Sequence, residues 1–475
     1  MTSSALSQEK SKVKGIAIWF CIVAALGGLL FGLDQGFING SLGFIMKYWG
    51  LSLGGGESYA GIMLIGCVIG VIASGWITRA IGRKYMLIIA AVFFTVFSFW
   101  GASTHNFEIL YWTRFCLGLA VGSASFVVPM YISEIAPTRI RGAMLTLYQF
   151  FITIGIMGIY FSNTYCDKVY SPTWGDSTWR LMLAFIGIPA VVMLILVFFI
   201  PKSPRFLMLK NKEAQARKVL EKTLASQEER DLAIKEIKDG IEKDAKLKAS
   251  GALKSIIGKG FYKRVLVLGI FIMVFQQLTG INTVIYYSGI IFHNAGVSNP
   301  AVGTILVGII NCLSTIIAIV LIDKFGKKPL LSTGLIIMIV TLIINGIMFS
   351  IGNLGTLGQL TLVISTLVFI IGFAYSWGPV AWAMCAEIFP LEGREFGMVV
   401  TTAVNWIFAF IVVRFSLTIM NSFGGNTLFF IFAVCCIIAL IFTKYIVPET
   451  KGITLEEIEM NLKSGKKLKE IGKIN

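Results

Sequence analysis

Twelve stretches of about 20 mostly apolar residues, each long enough to cross the hydrocarbon layer of a bilayer, follow one another along the chain. They centre near residues 26, 69, 94, 120, 153, 191, 274, 311, 340, 370, 408 and 436. No water-soluble core needs so much apolar sequence: 56% of residues are hydrophobic and 14% charged, and mean hydropathy is +0.81. The expected product is an all-α membrane protein. The first stretch, from Ile16, follows a short basic tail in the manner of a signal peptide. It lacks a small-residue cleavage site and runs on through Asp34 and Gly36, so it reads as a retained first helix.

A net charge of +16 would suggest nucleic acid in a soluble protein, but here topology explains it. With the N-terminal tail in the cytoplasm, 36 of the 41 Lys and Arg fall on that side; Lys47, Lys168 and Arg180 lie outside, and Arg114 and Arg414 within spans. This asymmetry puts both termini in the cytoplasm and favours an even number of spans. Between Lys202 and Arg264 hydropathy collapses, and 17 basic residues face 9 acidic ones. Ala216, Val219, Leu220 and Leu224, then Ile234, Ile237 and Ile241, recur there at helical spacing. Short amphipathic helices are expected, lying beneath the bundle, along anionic lipid, or as a solvated connector. The chain thus divides into a tail (1–14), a six-helix bundle (15–201), a cytoplasmic linker (202–262), a second six-helix bundle (263–447) and a cytoplasmic C-terminal tail (448–475).

Catalysis has little to work with. Seven of the eight cysteines fall in apolar stretches, and Cys166 alone is expected in an external loop; there is no CxxC pair and no metal spacing. His105 and His293 sit at loop ends far apart in sequence. No Walker loop or nucleophile–base pair occurs, and the GGLLFG run from Gly27 lies inside a spanning stretch, so it is not a dinucleotide loop. Neither an enzyme nor a metal, cofactor or nucleic-acid partner is expected.

Two signals recur along the chain. Gly82, Arg83 and Lys84 return as Gly326, Lys327 and Lys328 at an offset of 244, and Glu134, Pro137 and Arg141 return as Glu387, Pro390 and Arg394 at 253. Duplicated bundles of six helices fit both offsets, and two such bodies can rock about a site near the membrane midplane.

The repeat brings several motifs into order: Gly28-Leu-Leu-Phe-Gly-Leu-Asp34, Arg114-Phe-Cys-Leu-Gly118, Pro129-Met-Tyr-Ile-Ser-Glu134-Ile-Ala-Pro137 with Arg141-Gly142, and Pro201-Lys-Ser-Pro204-Arg205. Gln276-Gln277-Leu-Thr-Gly280-Ile-Asn282, Asp323-Lys-Phe-Gly326, Gly378-Pro379-Val-Ala-Trp382 with Glu387, and Pro448-Glu-Thr-Lys451-Gly452 follow. Together they resemble a sugar porter of the major facilitator superfamily, and are most similar to its bacterial galactose–proton and arabinose–proton symporters. The resemblance implies twelve helices in two pseudo-symmetric bundles and import of a neutral monosaccharide with protons by alternating access. The sugar would be a hexose or pentose, such as galactose, arabinose, glucose or xylose. A monomer in the bacterial inner membrane is expected.

Candidate residues follow from what is costly in lipid. Asp34 stands about two-thirds along the first span, where an aspartate costs roughly 2.5–3.5 kcal/mol, and Arg114 in the fourth is its obvious partner. A proton carrier needs a group whose charged form is stabilised in one state and whose neutral form is tolerated in another; the resemblance implies the same roles. Sugar recognition needs amides that both donate and accept, plus a flat apolar face. Gln149, Gln276, Gln277, Asn282, Asn311 and Asn405 supply the first and Trp382 the second. Gln277 and Asn282 lie about 140° from a common face on a straight helix, so a break at Gly280 is expected. Without a charged cluster beside the amides, phosphorylated and acidic sugars are disfavoured.

The resemblance further implies that Tyr286 and Tyr287 cap the cavity from outside. It implies too that Gly82, Arg83, Glu134, Arg139, Arg141, Asp323, Glu387 and Arg394 form a cytoplasmic gate. The chain departs from the family pattern at Met273, where another glutamine is common, and at Arg79 and Ala80, which replace an acidic and a basic residue. Arg414 has no carboxylate nearby in sequence and is expected to snorkel outward or touch the cavity. A facilitative sugar or polyol uniporter is the alternative, distinguished by Asp34. A non-transporting nutrient sensor is another, which would be expected to carry long tails.

Overall fold

A computed structural model describes residues 14–249, 258–352, 354–390, 393–453 and 455–472; all of the expected N-terminal tail but Lys14 lies outside them. The first six spans are α1 (Gly15–Trp49), α2 (Leu53–Ile81), α3 (Arg83–Ser103), α4 (Phe107–Ile135), α5 (Thr138–Trp174) and α6 (Trp179–Val197). The connector holds α7 (Pro204–Leu209), α8 (Glu213–Thr223) and α9 (Gln227–Ala249). The last six spans comprise α10 (Gly260–Leu278) with α11 (Ile281–Asn294), α12 (Pro300–Phe325), α13 (Lys327–Ile351), α14 (Thr356–Ala374) with α15 (Trp377–Ile388), α16 (Arg394–Phe423) and α17 (Gly425–Tyr445); α18 (Leu455–Lys463) ends the order. Every expected span is thus a helix, two of them broken.

The bundle is apolar on its outside as well as within. Trp76, Ile188, Phe199, Leu313 and Ile364 all stand exposed, as side chains facing lipid must. Lipid offers apolar helices no hydrophobic reason to associate, so close packing through small residues has to hold them. A Cβ on Gly32 would lie 2.0 Å from the Ile152 carbonyl oxygen, and one on Gly155 2.3 Å from that of Leu29. Backbones of α1 and α5 therefore touch, fixing the helix that carries Asp34.

The break at Gly280 occurs as the sequence predicts. The residue takes a left-handed φ of 86°, open to glycine without a Cβ penalty, and a Cβ there would come within 2.5 Å of the Phe432 ring. A second break, between α14 and α15, was not expected; Ser376 turns the chain, and its hydroxyl bonds the Gly372 carbonyl. Cys166 is a correction: it is buried within α5 rather than in a loop, because that helix continues to Trp174.

The described part of the connector packs its apolar residues against the bundle. Ala216, Val219, Leu220 and Ile234 are buried, and Leu224, Ile237 and Ile241 pack against the core. The outer face is tied by Arg217 to Glu213 and Asp231 at 2.9 and 2.7 Å, and by Lys238 to Glu213 at 2.9 Å. Hydrogen bonds from Lys238 and then Arg217 hold the Glu213 carboxyl below the usual carboxylate range. Lys14, the connector and α18 share one end of the bundle, called the near end below; the other is the far end.

Candidate functional site

Asp34 and Arg114 meet inside the first six helices. Arg114 donates through Nη1 to the Asp34 carboxylate and through Nη2 to the Asp34 carbonyl at 3.0 Å. Both side chains are 1% exposed or less, and the guanidinium lies 5.2 Å from the centroid of the Phe37 ring. Among the described residues the second Asp34 oxygen and the Arg114 Nε have no hydrogen-bond partner. A charged pair in such surroundings is held by mutual attraction, and a proton on the carboxylate removes the reason to stay paired.

One residue further along α1, the amide chain begins. Gln35 donates to Asn282 at 2.8 Å, Asn282 to Gln277 at 2.6 Å, and Gln277 to Asn405 at 3.1 Å. Asn405 in turn donates to Gln276 and to the Met273 carbonyl, the latter at 3.2 Å. Gln276 donates to the Trp377 carbonyl at 3.0 Å, at the second helix break. The two breaks and α16 thus bring four of the expected amides into one buried cluster, and the bend at Gly280 lets Asn282 reach Gln277. Gln149 and Trp382 are half-buried, and Asn311 is buried outside this chain of bonds.

Beyond the amides, the far halves of α1 and α11 are tied together. Asn39 donates to the Ile285 carbonyl and the Ser288 hydroxyl, both at 2.8 Å, and accepts from the Gly289 N–H at 3.2 Å. Tyr160 donates to the Ile285 carbonyl at 2.6 Å. Tyr286 and Tyr287 are fully buried rather than at a rim. Tyr286 reaches Met63 of the first bundle at 3.8 Å, whereas Tyr287 donates to Val413 of its own at 2.8 Å.

At the near end the repeat is visible as matched ion pairs. Arg83 meets Glu134 at 2.8 Å within the first bundle, and Lys327 meets Glu387 at 2.8 Å within the second. These charges brace each bundle internally. Arg79 and Glu395, at 2.8 Å, form an ion pair that crosses between the bundles here. Arg139 is exposed and Arg141 half-buried, Arg394 donates to the Phe389 carbonyl at 3.3 Å, and Gly82 opens α3. The Asp323 side chain lies outside the described residues. Arg414 neither snorkels freely nor lines the amide cluster: it pairs with Glu57 at 3.2 Å, a partner 357 residues away that local sequence could not indicate.

Gln35 and Asn39 carry the same signal in the sequence as Gln277, an uncharged polar residue in an apolar span, and were not among the expected ligands. Tyr160 offered no such signal.

A family model described as "Sugar (and other) transporter" matches residues 20–462. The chain is 40% identical over 462 residues to the galactose-proton symporter of Escherichia coli (strain K12), covering 97% of each. It is 34% identical over 478 residues to the arabinose-proton symporter of the same strain, covering 99% of each. Its fold is similar to a solved structure of the proton:xylose symporter XylE, of the major facilitator superfamily, bound to 6-bromo-6-deoxy-D-glucose. The TM-score is 0.79 at 32% identity, over 94% of this chain and 99% of that one.

Proposed function

Because this chain belongs to the sugar transporter family of the major facilitator superfamily, we propose that it imports a neutral hexose or pentose with protons by alternating access. Transport, not catalysis, is what the family does. The observation that carries the coupling is the adjacency on α1 of Asp34, held by Arg114, and Gln35, held by Asn282 of the amide chain. A change in the ion pair is felt one residue away by the sugar ligands.

In this reading Gln276, Gln277, Asn282 and Asn405 exchange their mutual hydrogen bonds for sugar hydroxyls, with Gln149, Asn311 and Trp382 joining from the cavity walls. Protonation of Asp34 loosens its hold on Arg114 and allows the loaded carrier to close. The near end faces the cytoplasm, with both termini, across a bacterial inner membrane, and the unit is a monomer. Residues 15–201 and 263–447 are the moving bodies, joined by 202–262. Tyr286 and Tyr287 belong to the external closure. Glu134, Arg139, Arg141, Asp323, Glu387 and Arg394, with Gly82 and Arg83, belong to the cytoplasmic gate.

One co-transported charge at 100 mV supplies about 2.3 kcal/mol, roughly a 50-fold sugar gradient. The test is to add candidate sugars to de-energised cells producing the protein and record external pH. Alkalinisation on addition of a particular sugar identifies substrate and coupling together. Uptake of labelled sugar without alkalinisation would instead make the protein a uniporter.

A further inference from the structure

The seam between α2 and α16 carries an ion pair at each end, and the two are built differently. At the near end Arg79 and Glu395 are 51% and 39% exposed. At the far end the Glu57 side chain is fully buried and Arg414 is 27% exposed. Among the described residues, every donor to Glu57 comes from the opposite bundle. One carboxylate oxygen accepts from the Thr418 N–H at 2.9 Å, and the other from Arg414 at 3.2 Å and from the Thr418 hydroxyl.

We propose that Glu57, Arg414 and Thr418 form a dry latch that holds the far ends of the two bundles closed and must open in each transport cycle. A buried carboxylate is tolerated only while its donors are present. Glu57 has them in one register of α2 on α16, and in that register alone the closed far end leaves no orphaned charge. When the bundles part there, water has to replace all three bonds at once. The exposed Arg79–Glu395 pair at the other end is already solvated and exchanges its partner for water at little cost. The latch therefore resists opening more than the near end does. That this resistance is directed against the outside rests on the orientation read above.

Hydrogen–deuterium exchange on the full chain in lipid nanodiscs tests the latch without reference to substrate. Arg414→Met leaves Glu57 buried without its counter-ion. The expected result is about tenfold loss of protection in peptides spanning 53–63 and 410–423, with peptides spanning 75–88 unchanged or better protected. In a Glu57→Gln background the same Arg414→Met change should have no further effect, and Arg414→Lys alone should keep most of the protection. Unchanged protection in Arg414→Met, an equal loss at both ends, or an equal loss in both backgrounds would each overturn the latch. Labelling of Lys168→Cys in intact cells by an impermeant maleimide checks orientation separately. If it is not labelled from outside, the latch does not guard the external side.

Discussion

The two bundles contribute different polarity to the buried centre, although α1 adds the amides Gln35 and Asn39 to the first. The first six helices bury an ion pair, Asp34 with Arg114, whereas the last six bury amides, Gln276, Gln277, Asn282 and Asn405. An ion pair can change its net charge by binding one proton, but it cannot match the hydroxyl pattern of an uncharged ring. Amides can match that pattern, both donating and accepting, but do not titrate. The difference teaches that energy and recognition can be assigned to separate rigid bodies, provided that one element reads both. In the proposed cycle that element is α1, through the neighbours Asp34 and Gln35.

The largest expected effect breaks the comparison from the charged side. Asp34→Asn removes the titrating group and leaves Arg114 buried without its counter-ion. Uphill accumulation of sugar in energised cells and sugar-dependent proton uptake should both vanish, while exchange of labelled for unlabelled sugar in vesicles persists at a reduced rate. Accumulation that survives this substitution would show that the proton travels elsewhere.

Next comes the amide side. Gln277→Ala removes a residue that bonds both Asn282 and Asn405. In the proposed site those two bonds pass to sugar hydroxyls; at about 0.5–1.5 kcal/mol for each, affinity for the transported sugar should fall roughly tenfold. Calorimetry on the purified protein measures it. The accumulation ratio at saturating sugar should stay as it was. If the ratio falls and affinity does not, the division of labour between the bundles is wrong.

Gln35→Ala sharpens the comparison at its join. The substitution removes the hydrogen bond from α1 to Asn282 and touches neither the ion pair nor the other amides. Affinity should fall by about threefold, and the proton-to-sugar ratio, from simultaneous pH and tracer recordings, should fall with it. An affinity loss with an unchanged ratio would make Gln35 a sugar ligand only and place the coupling elsewhere on α1.

Much of this was legible in the sequence, for reasons that differ by feature. Spans are legible because lipid imposes a length and a composition on every crossing helix, and the Gly280 break because Gln277 and Asn282 cannot otherwise share a face. Asp34 and Arg114 announce themselves by their cost in hydrocarbon. What stayed hidden depends on distance across the fold. Glu57 sits in the first turns of a span, where a charge is ordinary, and only the packing of α2 on α16 reveals that it is buried against Arg414. The near-end pairs are hidden for the same reason: Arg83 meets Glu134 and Lys327 meets Glu387, each inside its own bundle, at separations along the chain that local sequence does not connect. Arg79, which departs from the family pattern, crosses to Glu395 of the other bundle.

That crossing is expected to matter least to affinity and coupling. Arg79 and Glu395 form a well-oriented pair, with Nε and Nη2 donating to the two carboxylate oxygens at 3.2 and 2.8 Å, but both side chains are about half in solvent. Exposed pairs of this kind are worth about 0.2–1 kcal/mol, and salt screens them with a Debye length of about 8 Å at physiological ionic strength. Arg79→Gln should therefore change the maximal transport rate by less than about fivefold, leave affinity and accumulation intact, and lose its effect when vesicles are loaded with high salt. A larger, salt-insensitive change would mean that the near end is as dry in the working cycle as the far end is here, and that both ends of the α2–α16 seam resist opening alike.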